Sequence, residues 1–138
     1  MSNNLIRAGF ESLLATWAAA QSPAIPIAYE NKTFAPPATR YARAFLLPGQ
    51  TDSQDLQGTH RSYRGVFQVS LYMPAGTGAG AAETLVNAIC ALYPLQTRIV
   101  FGGLSIVLTR PMSARAAISD PDRYIVPIDC AYRADTIT

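Results

Sequence analysis

Apolar and polar residues alternate along the stretch from Tyr63 to Met73, which is the pattern of a β-strand. The alternation stops at Pro74, and a glycine-rich run over residues 76–80 follows it. Beyond this run the apolar residues recur at the spacing of one helical stripe. The stripe consists of Ala81, Leu85, Ala88, Ile89 and Leu92. The pattern therefore predicts a strand that leads through a glycine bend into a helix starting near Ala81.

Another helical stripe lies near the N-terminus and predicts a helix capped by Asn3 or Asn4. We expect this helix to end before Ser22-Pro23, because proline disfavours helical geometry in the residue that precedes it. Its apolar stripe consists of Ile6, Phe10, Leu13, Leu14 and Trp17.

Three further segments carry the pattern of extended chain. Residues 24–30 contain Pro26 and are predicted to lie at a sheet edge. Residues 40–47 have apolar side chains on both faces, which indicates a strand that is either central or covered by another subunit. The last strand points Tyr124, Val126, Ile128, Cys130 and Tyr132 inward, while Pro127 suggests an edge position or a bulge.

Two adjacent glycines, Gly102-Gly103, predict a tight hairpin, since such turns require positive φ angles. The predicted register pairs Phe101 with Leu104, Ile99 with Ile106 and Thr97 with Leu108. Helix, strands, helix, hairpin and strand then follow in order. This order predicts one α+β domain over residues 1–138, with a mainly antiparallel sheet of about five strands and two main helices packed on it.

Composition limits the choice of partner. The 138 residues include 11 basic and 9 acidic side chains, and a formal net charge of +2 disfavours nonspecific binding to nucleic acid. No apolar run approaches the roughly 18 residues that cross a bilayer, and residues 1–7 lack the basic leader with an apolar core that a signal peptide would have. We therefore expect no membrane association and a cytoplasmic site of synthesis.

The glycine run invites comparison with a dinucleotide-binding loop, since Gly76, Gly78 and Ala81 satisfy the loose form of that motif. A dinucleotide site also needs an acidic residue about 20 positions further on, at the end of a parallel strand. No Asp or Glu lies between Glu83 and Asp120. A flexible connector is the favoured interpretation, and a nucleotide-binding enzyme remains an alternative.

Catalytic and metal-binding chemistry has few candidate residues. His60 is the only histidine and Lys32 the only lysine, and no metal-ligand spacing occurs. We expect His60 to be a solvated loop residue, and Asp120 and Asp122 to form a capped turn. The two cysteines, Cys90 and Cys130, are expected to be small buried apolar groups in a reduced compartment. No catalytic residue, cofactor or metal is predicted.

An interaction surface has better candidates. Four arginines lie on two segments that are predicted to pair as neighbouring strands flanking a polar loop of about 12 residues, 48–59. Arginine is enriched at protein interfaces, although a solvated strand end explains the four equally well. The predicted interface set consists of Arg40, Arg43, Asp52, Asp55, His60, Arg61 and Arg64.

Segments along most of the chain resemble the tail terminator-like proteins of long-tailed phages and prophages. The N-terminal segments are Ile6-Arg7, Phe10-Glu11-Ser12, Leu14-Ala15-Thr16-Trp17, Tyr29-Glu30-Asn31, Phe34-Ala35-Pro36-Pro37 and residues 41–48. The remaining segments are residues 63–69, Pro74-Ala75-Gly76-Thr77-Gly78, Gly102-Gly103-Leu104, Arg110-Pro111 and residues 124–133.

The resemblance implies a structural protein of the virion tail and not an enzyme. It implies an α+β subunit that forms a ring, expected to be a hexamer, on the last ring of the tail tube. Such a ring stops tube polymerisation and offers its other side to the head-to-tail connector, while DNA passes through the opening without specific binding. A neck or connector protein is an alternative within the same class, and a DNA-binding accessory protein is an alternative outside it.

Overall fold

The computed structural model describes residues 2–53, 60–76, 78–95, 98–101 and 104–137. These residues form two helices and seven strands. The helices are α1 (Ser2–Ala19) and α2 (Ala79–Leu92). The strands are β1 (Ile27–Ala28), β2 (Tyr41–Pro48), β3 (His60–Pro74), β4 (Ile99–Phe101), β5 (Leu104–Ala114), β6 (Ile118–Ser119) and β7 (Arg123–Ile137).

The strands form one sheet in the order β1-β2-β3-β7-β5-β4, and β6 pairs with β7 beyond the end of β5. Only β1 and β2 run parallel, so the sheet is mixed but mainly antiparallel. The α+β class with two helices is confirmed. The described sheet has seven strands instead of about five, because β1 and β6 are two residues long and leave little trace in a hydrophobic pattern.

Helix α1 buries one side chain in each turn against the sheet, namely Ile6, Phe10, Leu14 and Ala18. The predicted cap is wrong, because the helix already includes Ser2 and both Asn3 and Asn4 lie inside its first turn. Its predicted end is confirmed, since helical geometry stops at Ala19, ahead of the proline.

Helix α2 begins two residues earlier than the pattern predicts, and its buried face is rotated. Ala81 is exposed, and the buried residues are Ala82, Leu85, Val86 and Ile89. Both described glycines of the preceding bend have positive φ angles, 85° at Gly76 and 84° at Gly78. The bend therefore uses conformations that glycine adopts at little cost, as the connector interpretation requires.

The predicted hairpin register is confirmed where the structure describes it. Ile99 pairs with Ile106 and Phe101 with Leu104. The two glycines of the turn and Thr97 lie outside the described residues.

Strand β7 is central, and this corrects the prediction for Pro127. The strand pairs with β3 along its whole length, from Pro74↔Arg123 to His60↔Ile137, and with β5 on its other side. The register shifts lie in β5 between Leu108 and Ser113, away from the proline. Proline is tolerated because Pro127 lies between the last β5 pair, at Ile128, and the first β6 pair, at Ile125, where the ladder on that side is interrupted.

The core lies between the two helices and one face of the sheet. Phe10 of α1 stacks on Phe67 of β3 with ring centroids 4.5 Å apart. The hydroxyl of Tyr93, just after α2, donates a hydrogen bond of 2.8 Å to the carbonyl oxygen of Phe10. This bond and the aromatic cluster join both helices to the centre of the sheet.

Candidate assembly surface

Both described helices pack on the same face of the sheet, and we call the opposite face the outer face. Alternation along the strands places Phe45 and Leu47 of β2, Val66 of β3 and Ala131 of β7 on it. Leu47 is 50% exposed, and the other three are partly exposed. The apolar side chains on both faces of β2 therefore have different surroundings, since Ala42, Ala44 and Leu46 are buried in the core.

One end of the outer face is covered by the segment that precedes β2. The guanidinium of Arg123 donates to the carbonyl oxygens of Pro37 and Thr39 and lies 5.0 Å from the ring centroid of Tyr41. Tyr41 stacks on Tyr72 with centroids 4.6 Å apart. Described side chains thus pack over this end of the outer face, whereas Leu47 at the opposite end is half exposed.

Of the four predicted arginines, Arg43 lies on β2, Arg61 and Arg64 lie on β3, and Arg40 immediately precedes β2. Arg40 and Arg43 are at the opposite end of the strand pair from the other two. Arg43 faces Ser70 in the β2–β3 register, six residues along β3 from Arg64. At a rise of roughly 3.3 Å per residue, this separation is about 20 Å. The structure therefore does not bring these arginines into one patch.

Arg40 and Arg43 are held by neighbours at the covered end. Arg40 donates through Nη2 to the carbonyl oxygen of Pro23 at 2.8 Å. The guanidinium carbon of Arg43 lies 5.7 Å from the ring centroid of Tyr41 and from that of Tyr72. Their side chains thus stabilise this end of the subunit.

The remaining predicted residues that the structure describes lie near the start of β3. Asp52 and Ser62 exchange backbone hydrogen bonds of 3.0 and 2.7 Å.

Nε2 of His60 lies 3.2 Å from Oδ1 of Asp135, so His60 is a strand residue beside a carboxylate and not a solvated loop residue. Arg61 donates through Nη1 to the carbonyl oxygen of His60 at 3.0 Å, and Arg64 is exposed. Asp55 lies outside the described residues.

A charged cluster on the outer face was missed by the sequence analysis. Asp129 accepts hydrogen bonds from Nη1 of Arg110 at 2.9 Å and Nε of Arg115 at 3.1 Å. Partial burial alone would raise the pKa of Asp129, but these two arginines hold that pKa below its usual range. Asp129 occupies an outward position of the β7 alternation, so the polar half of that pattern was the available signal.

The exposed edge of β2 is capped by a side chain. Beyond the two residues that β1 pairs, the N–H of Leu46 donates to Oε1 of Glu30 at 2.7 Å. The same carboxylate oxygen accepts from Nη1 of Arg7 in α1 at 2.7 Å. Partial burial opposes ionisation of Glu30, but these hydrogen bonds outweigh it and hold the pKa of Glu30 below its usual range. A strand edge with its donor occupied is a poor template for unwanted pairing.

The thiols have no features of reactive groups. Burial raises the pKa of Cys130 to about 12 and raises that of the half-buried Cys90 as well. Reactive cysteines have a lowered pKa, so the raised pKa values argue against a nucleophilic role for either thiol. Within the described ranges, no group of three or more His, Cys, Asp or Glu residues is placed to hold a metal ion. No helix in the same ranges has the length and apolar character to cross a bilayer.

Comparison with known proteins identifies the family to which a chain with this surface is similar. The sequence model of a family described as phage tail terminator protein matches residues 5–132. A solved structure that carries no functional name is 40% identical and superposes with a TM-score of 0.84, covering 100% of this chain and 99% of that one. No curated protein matches. Because the family match extends from α1 into β7 and so includes both helices, the chain belongs to the phage tail terminator protein family.

Proposed function

We propose that this protein ends the growth of the tail tube by closing a ring of identical subunits on the last tube ring. The free side of the ring then receives the head-to-tail connector, and DNA passes through the opening without specific binding. Membership of the tail terminator family carries this proposal, because it assigns the chain a structural role in the phage tail.

The surface of the subunit supports a role in assembly. An uncovered sheet face with an exposed Leu47 and bonded charges around Asp129 suits protein contacts, in which apolar area and arginines both contribute. Blocking of the β2 edge by Glu30 suits a protein that must stay soluble until it meets its partner. Docking of surfaces requires no chemical step, so this role needs no catalytic group.

A tube-polymerisation assay tests the proposal directly. Purified tail-tube protein is polymerised with increasing amounts of this protein, and tube lengths are measured by electron microscopy. We expect a saturable decrease in length and a cap of density at one tube end. Tubes of undiminished length at excess protein would exclude the terminator role.

Co-sedimentation distinguishes the proposed terminator role from the alternative role as a neck or connector protein. A terminator sediments with tail tubes alone. A neck protein sediments only when the head connector is present, so that result would favour the alternative.

A further inference from the structure

A patch at the Leu47 end of the outer face combines apolar side chains with an arginine that forms no ion pair with any described residue. We call Leu47, Arg64 and Val66 the Leu47 patch; Leu47 pairs with Val66 across the two strands. Arg64 is exposed and lies directly opposite Arg133 of β7. The Arg133 guanidinium is already paired with Asp135, at 3.0 Å between Nε and Oδ2. No ion pair involves Arg64 among the described residues, and like charges on opposed strand positions repel.

A groove on the helix-covered side of the sheet combines apolar side chains with a negative charge. It lies between α2 and the connection from β5 to β6 and has a volume of about 350 Å³. We call it the α2 groove; its apolar lining includes Ala82, Val86, Tyr124 and Val126. Glu83 lines it too, is exposed and has no ion pair within the described ranges. The one arginine in its lining, Arg115, binds Asp129, a carboxylate that Arg110 also binds.

The two sites are complementary in polarity and charge. The Leu47 patch offers a half-exposed leucine beside a cation, and the α2 groove offers an apolar recess beside a carboxylate. Arg64 and Glu83 form no ion pair with the described residues of their own subunit, and each gains a partner if the two sites meet. Complementary charges of this kind fix which surfaces meet and in which register.

The positions of the two sites exclude a contact within one subunit. The Leu47 patch lies on the outer face next to the β2 edge, whereas the α2 groove lies on the helix side where β5 gives way to β6. Two different patches that meet between copies form a heterologous contact, which closes into a ring when the rotation permits. A second copy is thus the occupant that the charges and positions both favour.

We propose that the Leu47 patch of one subunit docks into the α2 groove of the next, with Arg64 paired to Glu83 across each contact. This inference rests on the proposed ring and specifies which surfaces form it.

Charge reversal tests the pairing. Arg64→Glu and Glu83→Arg change exposed side chains, so circular dichroism and thermal unfolding should match the unchanged protein. Each single variant should need about tenfold or more protein for half-maximal shortening of tail tubes, because attraction becomes repulsion at every contact. The double variant should recover most of the activity. Arg98→Glu, at an exposed cation outside the patch, is the matched control and should have no effect.

Mixing gives a second prediction that follows from pairing between Arg64 and Glu83 of different subunits. Equal amounts of the Arg64→Glu and Glu83→Arg chains should assemble together, because reversed and natural pairs alternate around the ring. If both single variants are inactive but neither the double variant nor the mixture recovers, these residues contact the tube or another partner instead. Single variants with full activity would overturn the proposal while leaving the terminator role intact.

Cross-linking provides a readout that does not depend on tube capping. A carbodiimide applied to the Arg64→Lys chain at high concentration, with and without tubes, should join the introduced amine to Glu83. Mass spectrometry of the cross-linked peptide identifies the pair, and Arg98→Lys is the control. Oligomers that lack this cross-link would contradict the proposed contact, whereas a cross-link without tube shortening would contradict the proposed function alone.

Discussion

At Gly65 the chain has no space for a side chain. A Cβ atom there would lie 2.5 Å from the carbonyl oxygen of Leu47 and 2.6 Å from the hydroxyl oxygen of Tyr132. The first of these atoms belongs to the backbone of the neighbouring strand and cannot rotate away. The close approach of β2 and β3 at this point therefore depends on glycine.

We expect Gly65→Ala to lower the free energy of unfolding by about 1 to 3 kcal/mol, since the strands must separate to accept the methyl group. Gly80→Ala is the matched control, because a Cβ there meets nothing within 4 Å and the residue lies in α2. This control should raise stability by about 0.5 to 1 kcal/mol. Urea unfolding of both variants checks the pair, and equal stabilities would contradict the packing at Gly65.

Two buried tyrosines differ in whether the hydroxyl has a partner. Tyr93 donates to the carbonyl oxygen of Phe10, whereas the hydroxyl of Tyr132 has no hydrogen-bond partner in the described structure. Removing an unbonded buried hydroxyl costs little and relieves a desolvation penalty, while removing a bonded one loses about 1 kcal/mol.

Tyr93→Phe should therefore lower the free energy of unfolding by about 1 kcal/mol. Tyr132→Phe should leave that free energy unchanged or raise it by up to about 1 kcal/mol. Chemical denaturation measures both. A loss in Tyr132→Phe as large as that in Tyr93→Phe would show that the Tyr132 hydroxyl is bonded.

At the scale of elements, carboxylates join parts of the chain that are distant in sequence. Glu30 joins α1 to the edge of β2, and Asp129 joins β5 to β7. Asp135 is bound by Arg133, and its pKa, which partial burial would raise, is lowered by that pair. Glu11 differs, because burial raises its pKa despite the nearby Arg7.

The pH dependence of stability follows from the directions in which these pKa values are shifted. For Glu30, Asp129 and Asp135 the folded-state pKa lies below the unfolded-state pKa. Their contribution to folding stability is therefore complete at a pH above the unfolded-state pKa. This contribution is lost as the pH falls through the folded-state pKa. Glu11 acts in the opposite sense and offsets part of the loss.

We expect the melting temperature to fall as pH decreases below about 4.5. Glu30→Gln should reduce this dependence, because its amide oxygen still accepts from Leu46 but does not titrate. The loss of stability at neutral pH should be about 1 kcal/mol or less, since Arg7 and Glu30 are partly exposed. A pH profile identical to that of the unchanged protein would rule out a contribution from Glu30.

At the scale of the whole molecule, the glycine bend connects β3 to α2 and its shape is explained without a ligand. Gly76 and Gly78 supply positive φ angles, and a helix follows at once. Both neighbours of β3 in the described sheet, β2 and β7, run antiparallel to it, so β3 and α2 are not followed by the adjacent parallel strand that a dinucleotide site requires. The nucleotide-binding alternative nevertheless makes a simple prediction.

We expect millimolar NAD, ATP or GTP to leave the melting temperature unchanged in a thermal-shift assay. Any ligand selective for the folded state must raise that temperature. A shift that disappears when Gly76 and Gly78 are both replaced by alanine would restore the nucleotide-binding interpretation.

The sequence by itself determined the features that depend on neighbours along the chain. The stripe of α1 from Ile6 to Leu14, the inward residues of β7 and the described pairs of the Ile99–Ile106 hairpin all follow from local period and turn chemistry. The tail family was also within reach, because the resembling segments lie along most of the chain.

Only the tertiary structure decided which strands are neighbours and what covers each face. Pro127 is central because β7 lies between β3 and β5, and Arg43 is distant from Arg64 because of the β2–β3 register. Pairing between residues far apart in sequence leaves no periodic signal, since each strand shows only its own alternation. The apposition of Arg110 and Asp129, and the lack of an ion-pair partner for Arg64 among the described residues, therefore became visible only once the chain was folded.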